Sequence, residues 1–436
     1  MAFRKDFIWG AATASAQVEG GYDEGGRTPS IWDLAPHKKI RHGEDCHVSA
    51  DQYHHLEEDV LLMKEMGLKA YRFSVSWSRV LPERGKSNPI GLDYYSHLID
   101  LLLSAGIEPI LTVYHWDLPL WAYRLGGWES KRIIEPFKEY TRLLVESYSP
   151  RVKYWIVANE PTCFLLNGYV QGAHAPFKKN PFLIPRISKV FLQTFHDAVT
   201  IIRAESKGEA KVGLAHAAGV YIPKSLDGKD VEWARSNSFE EGAGLMANRW
   251  FLDPLLLGKG VRAYGVYSIS DAFARRIQVK LDFLGINCYS PFISTSWKEE
   301  GASLPGATRN SLGWLCDGRL LYWCPKFFYE RYHLPIMVTE NGYSGNDEIA
   351  LDGGVHDPQR SDYLLRYLKE LKKAADEGIP LLGYLYWSFI DNFEWAEGYD
   401  PRFGLVFCDF SNGKRVLKDS ALAYKKIISA NGESDF

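Results

Sequence analysis

No stretch of this chain approaches the 18 or so consecutive apolar residues of a membrane span. No GxGxxG turn follows its first strand-like segment, and charge of neither sign dominates. A net charge of −3 and a pI near 6.5 leave no basic field for nucleic acid or an anionic membrane. Cysteine is sparse: six in 436 residues, with no CxxC, point to free thiols in a reducing compartment. The opening Met1-Ala2-Phe3-Arg4-Lys5-Asp6 runs straight into strand-like sequence, without the apolar core of a signal peptide. These exclusions predict a cytoplasmic protein with neither nucleic acid nor membrane as partner.

What is abundant is apolar and aromatic. Hydrophobic residues make up 46%, enough for a large core, and aromatics 14%, including 14 Trp. Several of these Trp stand beside polar residues at apparent strand ends. A core explains most of them, but sugar-binding clefts also use aromatic faces as platforms.

Apolar runs and helical periodicities alternate along the chain. Phe7-Ile8-Trp9-Gly10-Ala11-Ala12 reads as a first strand, and Leu56, Val60 and Met63 as a helix stopped by Gly67. Further strands are expected at 70–75, 109–116, 154–160, 212–216, 283–289, 336–340 and 381–387. Between and after them, helices are expected around Leu98 to Leu103 and at about 131–147, 190–204, 232–250, 326–332, 364–371 and 421–428. Most of the strands are apolar on both faces, as in parallel sheets covered on both sides. Eight β/α units predict a single (β/α)₈ barrel spanning 1–436, with long loops on the active-site face. The longest loops are expected at 25–47, 161–185, 291–324 and 391–413. A doubly wound open sheet is the competing architecture, and the missing glycine fingerprint weighs against it.

In a barrel all strand C-termini open onto one face. Thr339-Glu340-Asn341-Gly342 and Asn159-Glu160-Pro161 each end an apolar strand with a glutamate, 180 residues apart. The same rim collects Gln17, Arg72, His115, Trp116, Asn287, Tyr289, Trp387, Glu394 and Trp395. Singly, each has a bland reading: a strand-end Glu is usually an ion-pair partner, a His a bonded structural residue, a Trp core. As a set they form a polar ring that is costly to bury without a ligand. Paired carboxylates with amides and aromatic platforms point to glycosidic bond hydrolysis. Two other signals carry less. His37, His42, His47, His54 and His55 fit no zinc spacing, and Glu57-Glu58-Asp59 reads as the solvated first turn of a helix.

Asp6-Phe7-Ile8-Trp9-Gly10-Ala11-Ala12-Thr13, Tyr71-Arg72-Phe73-Ser74-Val75-Ser76-Trp77, His115-Trp116-Asp117-Leu118-Pro119, Asn159-Glu160-Pro161, Thr339-Glu340-Asn341-Gly342 and Trp387-Ser388-Phe389-Ile390-Asp391-Asn392-Phe393-Glu394-Trp395 resemble glycoside hydrolase family 1, the β-glucosidase family. The resemblance spans essentially the whole chain. It implies a (β/α)₈ barrel and retaining hydrolysis of β-glycosides or short β-linked oligosaccharides, with no metal or organic cofactor. It makes Glu160 the general acid/base and Glu340 the nucleophile, with carboxyl groups roughly 5–5.5 Å apart as retention requires. Arg72 and Tyr289 are expected to hold Glu340 ionised at a low pKa, and Asn159 to bind the sugar 2-hydroxyl. Gln17, His115, Glu394 and Trp395 match positions that hold the 3-, 4- and 6-hydroxyls. Trp387 is expected under the ring, Asn287 beside the acid/base and Trp314 at the entrance, while Trp116 and Phe403 complete the substrate-binding set.

The chain also departs from the family pattern. Ala16 stands where Tyr is usual, Leu315-Cys316-Asp317-Gly318 replaces a Pro-containing turn, and Cys288 and Cys324 add thiols. Relatives acting on 6-phosphorylated sugars carry Ser and Lys in the last loop. Here Glu394-Trp395-Ala396-Glu397 places carboxylates there, expected to repel phosphate.

Overall fold

The structure is a computed structural model that describes residues 3–239, 248–263, 265–292 and 306–433. Eight strands form a closed parallel barrel in the order β1-β8-β7-β6-β5-β4-β3-β2. They are β1 (Ile8–Ala12), β2 (Ala70–Ser74), β3 (Glu108–Tyr114), β4 (Tyr154–Asn159), β5 (Lys211–Ala217), β6 (Phe283–Asn287), β7 (Ile336–Asn341) and β8 (Leu381–Trp387). A principal helix follows each in turn: α1 (Leu56–Glu65), α2 (Pro89–Ser104), α3 (Ile134–Tyr148), α4 (Ile184–Glu205), α5 (Gly228–Phe239), α6 (Leu320–Tyr332), α7 (Pro358–Asp376) and α8 (Asp419–Ser429). β1 and β8 close the barrel, with Ile8 opposite Gly383 and Ala12 opposite Trp387. Gly383 fits that seam because a Cβ there would lie 2.5 Å from the Ile8 carbonyl oxygen.

The apolar runs are explained by two packing layers. Inside the barrel Ala12, Ala70, Ile110, Ile156, Ala215, Phe283, Met337 and Leu385 fill the bore. Outside, alternate residues of the same strands meet the apolar faces of the helices in the larger core. A strand with both faces buried gives a continuous apolar run, the pattern the sequence shows.

Besides one shift at the start of β8, between Leu381 and Gly383, three register shifts interrupt the ladders: between β4 and β5 past Ile156, between β6 and β7 past Ile286, and between β7 and β8 past Tyr384. After them Asn159 faces Ala215, Asn287 faces Glu340, and Asn341 faces Tyr386. Bulges of this kind re-aim side chains. Here they lie at the C-terminal ends of the strands that carry both glutamates.

Several elements differ from expectation. Helix α4 begins at Ile184 and α6 at Leu320, both earlier than the periodicity indicates, and α6 carries Pro325 in its interior. The helix expected at 232–250 is seen as α5 and a short turn Arg249–Leu252; residues 240–247 lie outside the described residues, as do 293–305 of the long loop at 291–324. The loop at 161–185 contains the helical turn Pro161–Leu165 and a π-helical segment, Leu166–Gln171. Asp59 is not solvated: it is buried, accepting from Arg415 Nε at 3.0 Å and Gln52 Nε2 at 3.1 Å. The five histidines of 37–55 bond to separate carbonyls and carboxylates, such as Gly43, Asp400, Asp33, Asp51 and Glu58. Among the described residues, no helix is long and apolar enough to cross a membrane.

Candidate active site

A cavity of about 500 Å³ opens at the C-terminal end of the barrel. Gln17, His115, Trp116, Asn159, Glu160, Tyr289, Trp314, Glu340, Trp387, Glu394, Trp395 and Phe403 line it. Twelve of the fourteen predicted residues therefore meet at one site. Arg72 and Asn287 do not line it but lie behind it, bonded to those that do.

Arg72 is fully buried in β2, and its guanidinium is held by hydrogen bonds and an ion pair. Its Nη1 donates to Glu340 Oε1 at 2.7 Å, its Nη2 to Asn159 Oδ1 at 2.7 Å, and its Nε to Thr112 Oγ1 at 3.0 Å. Tyr289 OH donates to the other oxygen of Glu340 at 2.7 Å. Burial nevertheless outweighs these donors, and the Glu340 carboxyl lies above its ordinary pKa, which corrects the expected depression. Glu160 stands one residue past β4 with φ at +44° and donates its N–H to the Ala215 carbonyl at 2.8 Å. A left-handed non-glycine residue here turns the side chain off the strand line and into the bore. Burial and the nearby Glu340 charge push its carboxyl up to about 7, against a donor from Asn287 Nδ2 at 3.0 Å. Each glutamate thus resists ionisation, but only Glu340 holds a guanidinium.

Hydrogen-bond logic fixes the orientation of the neighbouring amides. Thr339 Oγ1 donates to Asn287 Oδ1 at 2.6 Å, so the Asn287 amide nitrogen faces Glu160 and Asn159 Oδ1, the latter at 2.9 Å. Asn159 Oδ1 accepts from Arg72 and Asn287, which leaves Nδ2 to donate to His115 Nε2 at 2.9 Å. His115 is then neutral with its proton on Nδ1, a buried atom with no protein partner. Burial and the Arg72 charge hold its pKa far below normal, so it remains a single donor.

Gln17 Nε2 is taken by Asn392 Oδ1 and the Phe393 carbonyl, at 3.0 and 2.9 Å, while its Oε1 has no partner. Glu394 Oε1 accepts from Trp387 Nε1 at 3.2 Å, and burial pushes this carboxyl up to about 8. Arg41, a cation on the cavity wall, is engaged by Glu397 and Asp400, and so stands paired with carboxylates at the last loop. An acceptor at Gln17, a donor at His115 and a carboxyl at Glu394 together match a polyhydroxylated ring better than an apolar ligand.

Aromatic rings complete the wall. His115 stacks near Trp387 and Trp395, with centroids 5.9 and 6.2 Å apart, and Trp116 lies 4.9 Å from Trp395. Trp314, 40% exposed, stands at the mouth beside Tyr289 and Phe403. Cys163, Asn167, His174, Ser311, Leu312 and Arg41 also line the cavity and were not foreseen; Glu397, expected only as a last-loop carboxylate, lines it too. Only Cys163 carried a signal, three residues after Glu160 at the start of a helical turn. The replaced turn at 315–318 lies elsewhere: Cys316, Asp317 and Gly318 line a separate cleft with Tyr363 and Tyr367.

Comparison with known proteins agrees with this geometry. The family model described as glycosyl hydrolase family 1 matches residues 1–433. Beta-glucosidase A of Thermotoga maritima is 37% identical, with 99% of each chain covered, as is beta-glucosidase A of Acetivibrio thermocellus. The solved family 1 β-glucosidase of Thermotoga maritima superposes with a TM-score of 0.91 at 36% identity, covering 100% of this chain and 99% of that one. A barrel with glutamates on its fourth and seventh strand ends, matched over its whole length, belongs to glycosyl hydrolase family 1.

Proposed function

We propose that this chain, acting as one catalytic unit in the cytoplasm, hydrolyses terminal non-reducing β-D-glycosyl residues, glucosyl above all, with retention at the anomeric carbon. The observation that carries the reading is the unequal pair: Glu340 gripped at both oxygens by Arg72 and Tyr289, and Glu160 buried near pH 7 with an amide donor. In the first step a Glu340 oxygen attacks the anomeric carbon as the glycosidic C–O bond breaks, and Glu160 passes its proton to the departing oxygen. The covalent glycosyl ester cancels the Glu340 charge, which removes the main repulsion on Glu160 and lets it ionise. Water then gives a proton to Glu160 and attacks the same carbon, releasing the sugar and restoring both carboxyls.

Asn159 Nδ2 holds the 2-hydroxyl in this reading, a contact that tightens in the transition state. His115 Nδ1, Gln17 Oε1 and Glu394 serve the remaining hydroxyls, Trp387 carries the ring face and Trp314 the leaving group. Gln17 and Glu394 can together meet either epimer of the 4-hydroxyl, so galactosides and fucosides fall within the same reach. The deciding experiment is turnover on a panel of aryl β-glucosides, β-galactosides and β-fucosides, each with and without a 6-phosphate. Turnover of unphosphorylated glucosides with retained configuration is expected. Binding without turnover, or activity confined to 6-phosphates, would overturn the proposal.

A further inference from the structure

On the outer wall of the barrel, sharing no lining residue with the active-site cavity, lies a larger cleft of about 950 Å³. It is formed where the N-terminal ends of α3 and α4 meet the short helix Asp271–Ile277. Its charged lining is of one sign: Lys131, Arg132, Arg186, Lys189 and Arg276, with no acidic residue. All five are exposed, and none has an ion-pair partner among the described residues. The contrast with the same two helices further along is informative. There Arg142 of α3 pairs with Glu205 of α4 at 3.2 Å, and the acid in the first turn of α3, Glu135, is taken by Lys138 at 2.8 Å. On these two helices the cations outside the cleft, Lys138, Arg142 and Arg203, each have a carboxylate partner, and those lining it have none among the described residues. The imbalance also runs against the helix dipoles, which disfavour cations at N-terminal ends, and the first turn of α4 carries no acid to offset it. Local conflict of this kind, without a gain to the fold, is a mark of a functional position.

We infer that this cleft binds a compact polyphosphorylated ligand bearing an aromatic group, of the nucleoside-triphosphate class. Five unpaired cations around one concavity match several contiguous negative charges. The volume lies in the range of small-ligand clefts. An extended polyanion such as nucleic acid fits poorly, because the remainder of the molecule brings the net charge to −3. The aromatic part of the ligand has its counterpart in Phe273, half-buried in the cleft wall with the Arg276 guanidinium 5.1 Å from its ring centre. A planar base placed there extends that stack.

The test measures binding by calorimetry in excess chelator, with inorganic tripolyphosphate and ATP as separate probes. The variants are Arg186→Glu/Lys189→Glu, Phe273→Ala and, as a charge-matched control, Lys425→Glu/Lys426→Glu on α8. Turnover of an aryl β-glucoside, unchanged in all three, reports that each is folded. Saturable binding of both probes that weakens at least tenfold in the cleft reversal, and not in the control, is the expected result. Phe273→Ala should weaken ATP about threefold or more and leave tripolyphosphate unaffected. No saturable binding, or equal losses in the cleft and control variants, overturns the site. ATP no tighter than tripolyphosphate, and indifferent to Phe273→Ala, overturns the aromatic half of the proposal.

Discussion

The two glutamates share a cavity yet sit in unlike settings. Glu340 lies within β7, both oxygens accept strong donors, and one donor is a buried cation. Glu160 lies just past β4 with its backbone in the left-handed region, and its one side-chain donor through nitrogen is the neutral amide of Asn287. Burial raises both carboxyls, so burial cannot decide which one ionises first. The guanidinium does. A cation within 3 Å favours the charged form of Glu340, while that charge in turn favours the protonated form of Glu160. One arginine in a neighbouring strand therefore converts two similar carboxyls into a nucleophile and an acid.

The comparison is broken most completely by removing the nucleophile. Glu340→Gln keeps a similar shape and accepts from Arg72, so the fold should survive by circular dichroism while turnover falls on the order of 10⁴-fold or more. Residual full activity would refute the assignment. Next is Glu160→Ala, which removes only proton transfer. Turnover of alkyl β-glucosides should fall about 10²–10⁴-fold, and kcat/KM for a dinitrophenyl glucoside, whose leaving group needs no proton, should fall far less. Equal losses on both substrates would show that Glu160 does something other than protonate. Arg72→Met should lower kcat by about 10²–10³-fold. Because Glu340 then ionises less readily, the acidic limb of the rate profile should also move to higher pH. An unmoved limb would sever Arg72 from the ordering of the two groups.

These contrasts were only partly legible in the chain. The eight strands were readable because a parallel strand buried on both faces leaves a continuous apolar run, and the rim residues because they stand where those runs stop. Arg72 was readable as a rim residue but not as one lying behind the cavity, since strand position does not say whether a long side chain reaches inward or sideways. The raised pKa of Glu340 was missed for a related reason. Sequence names the neighbours of a carboxyl but not how completely water is excluded, and exclusion proved the larger influence. Asp59 taught the same lesson, an apparently solvated helix-start acid that the fold covers with Arg415. Cavity residues such as His174 and Asn167 sit in irregular or π-helical chain, where no period tells inward from outward.

The finest test of the comparison concerns Asn287, whose Nδ2 donates to Glu160 and Asn159 and whose amide weighs more on Glu160 than on Glu340, where Arg72 and Tyr289 come first. Its amide favours the ionised form of Glu160, so it pulls that carboxyl down from where burial and the Glu340 charge would put it. The free enzyme needs Glu160 protonated, so kcat/KM should decline as pH rises through about 7. Asn287→Ala removes the donor, and the basic limb should move to higher pH while the acidic limb, set by Glu340, moves much less. Asn159 Oδ1 also loses one of its two donors in this variant but keeps Arg72, so binding at the 2-hydroxyl should weaken only modestly. A basic limb that moved down, or both limbs moving together, would mean that the amide serves the pair as a whole. The order of ionisation would then rest on Arg72 without help from the acid side.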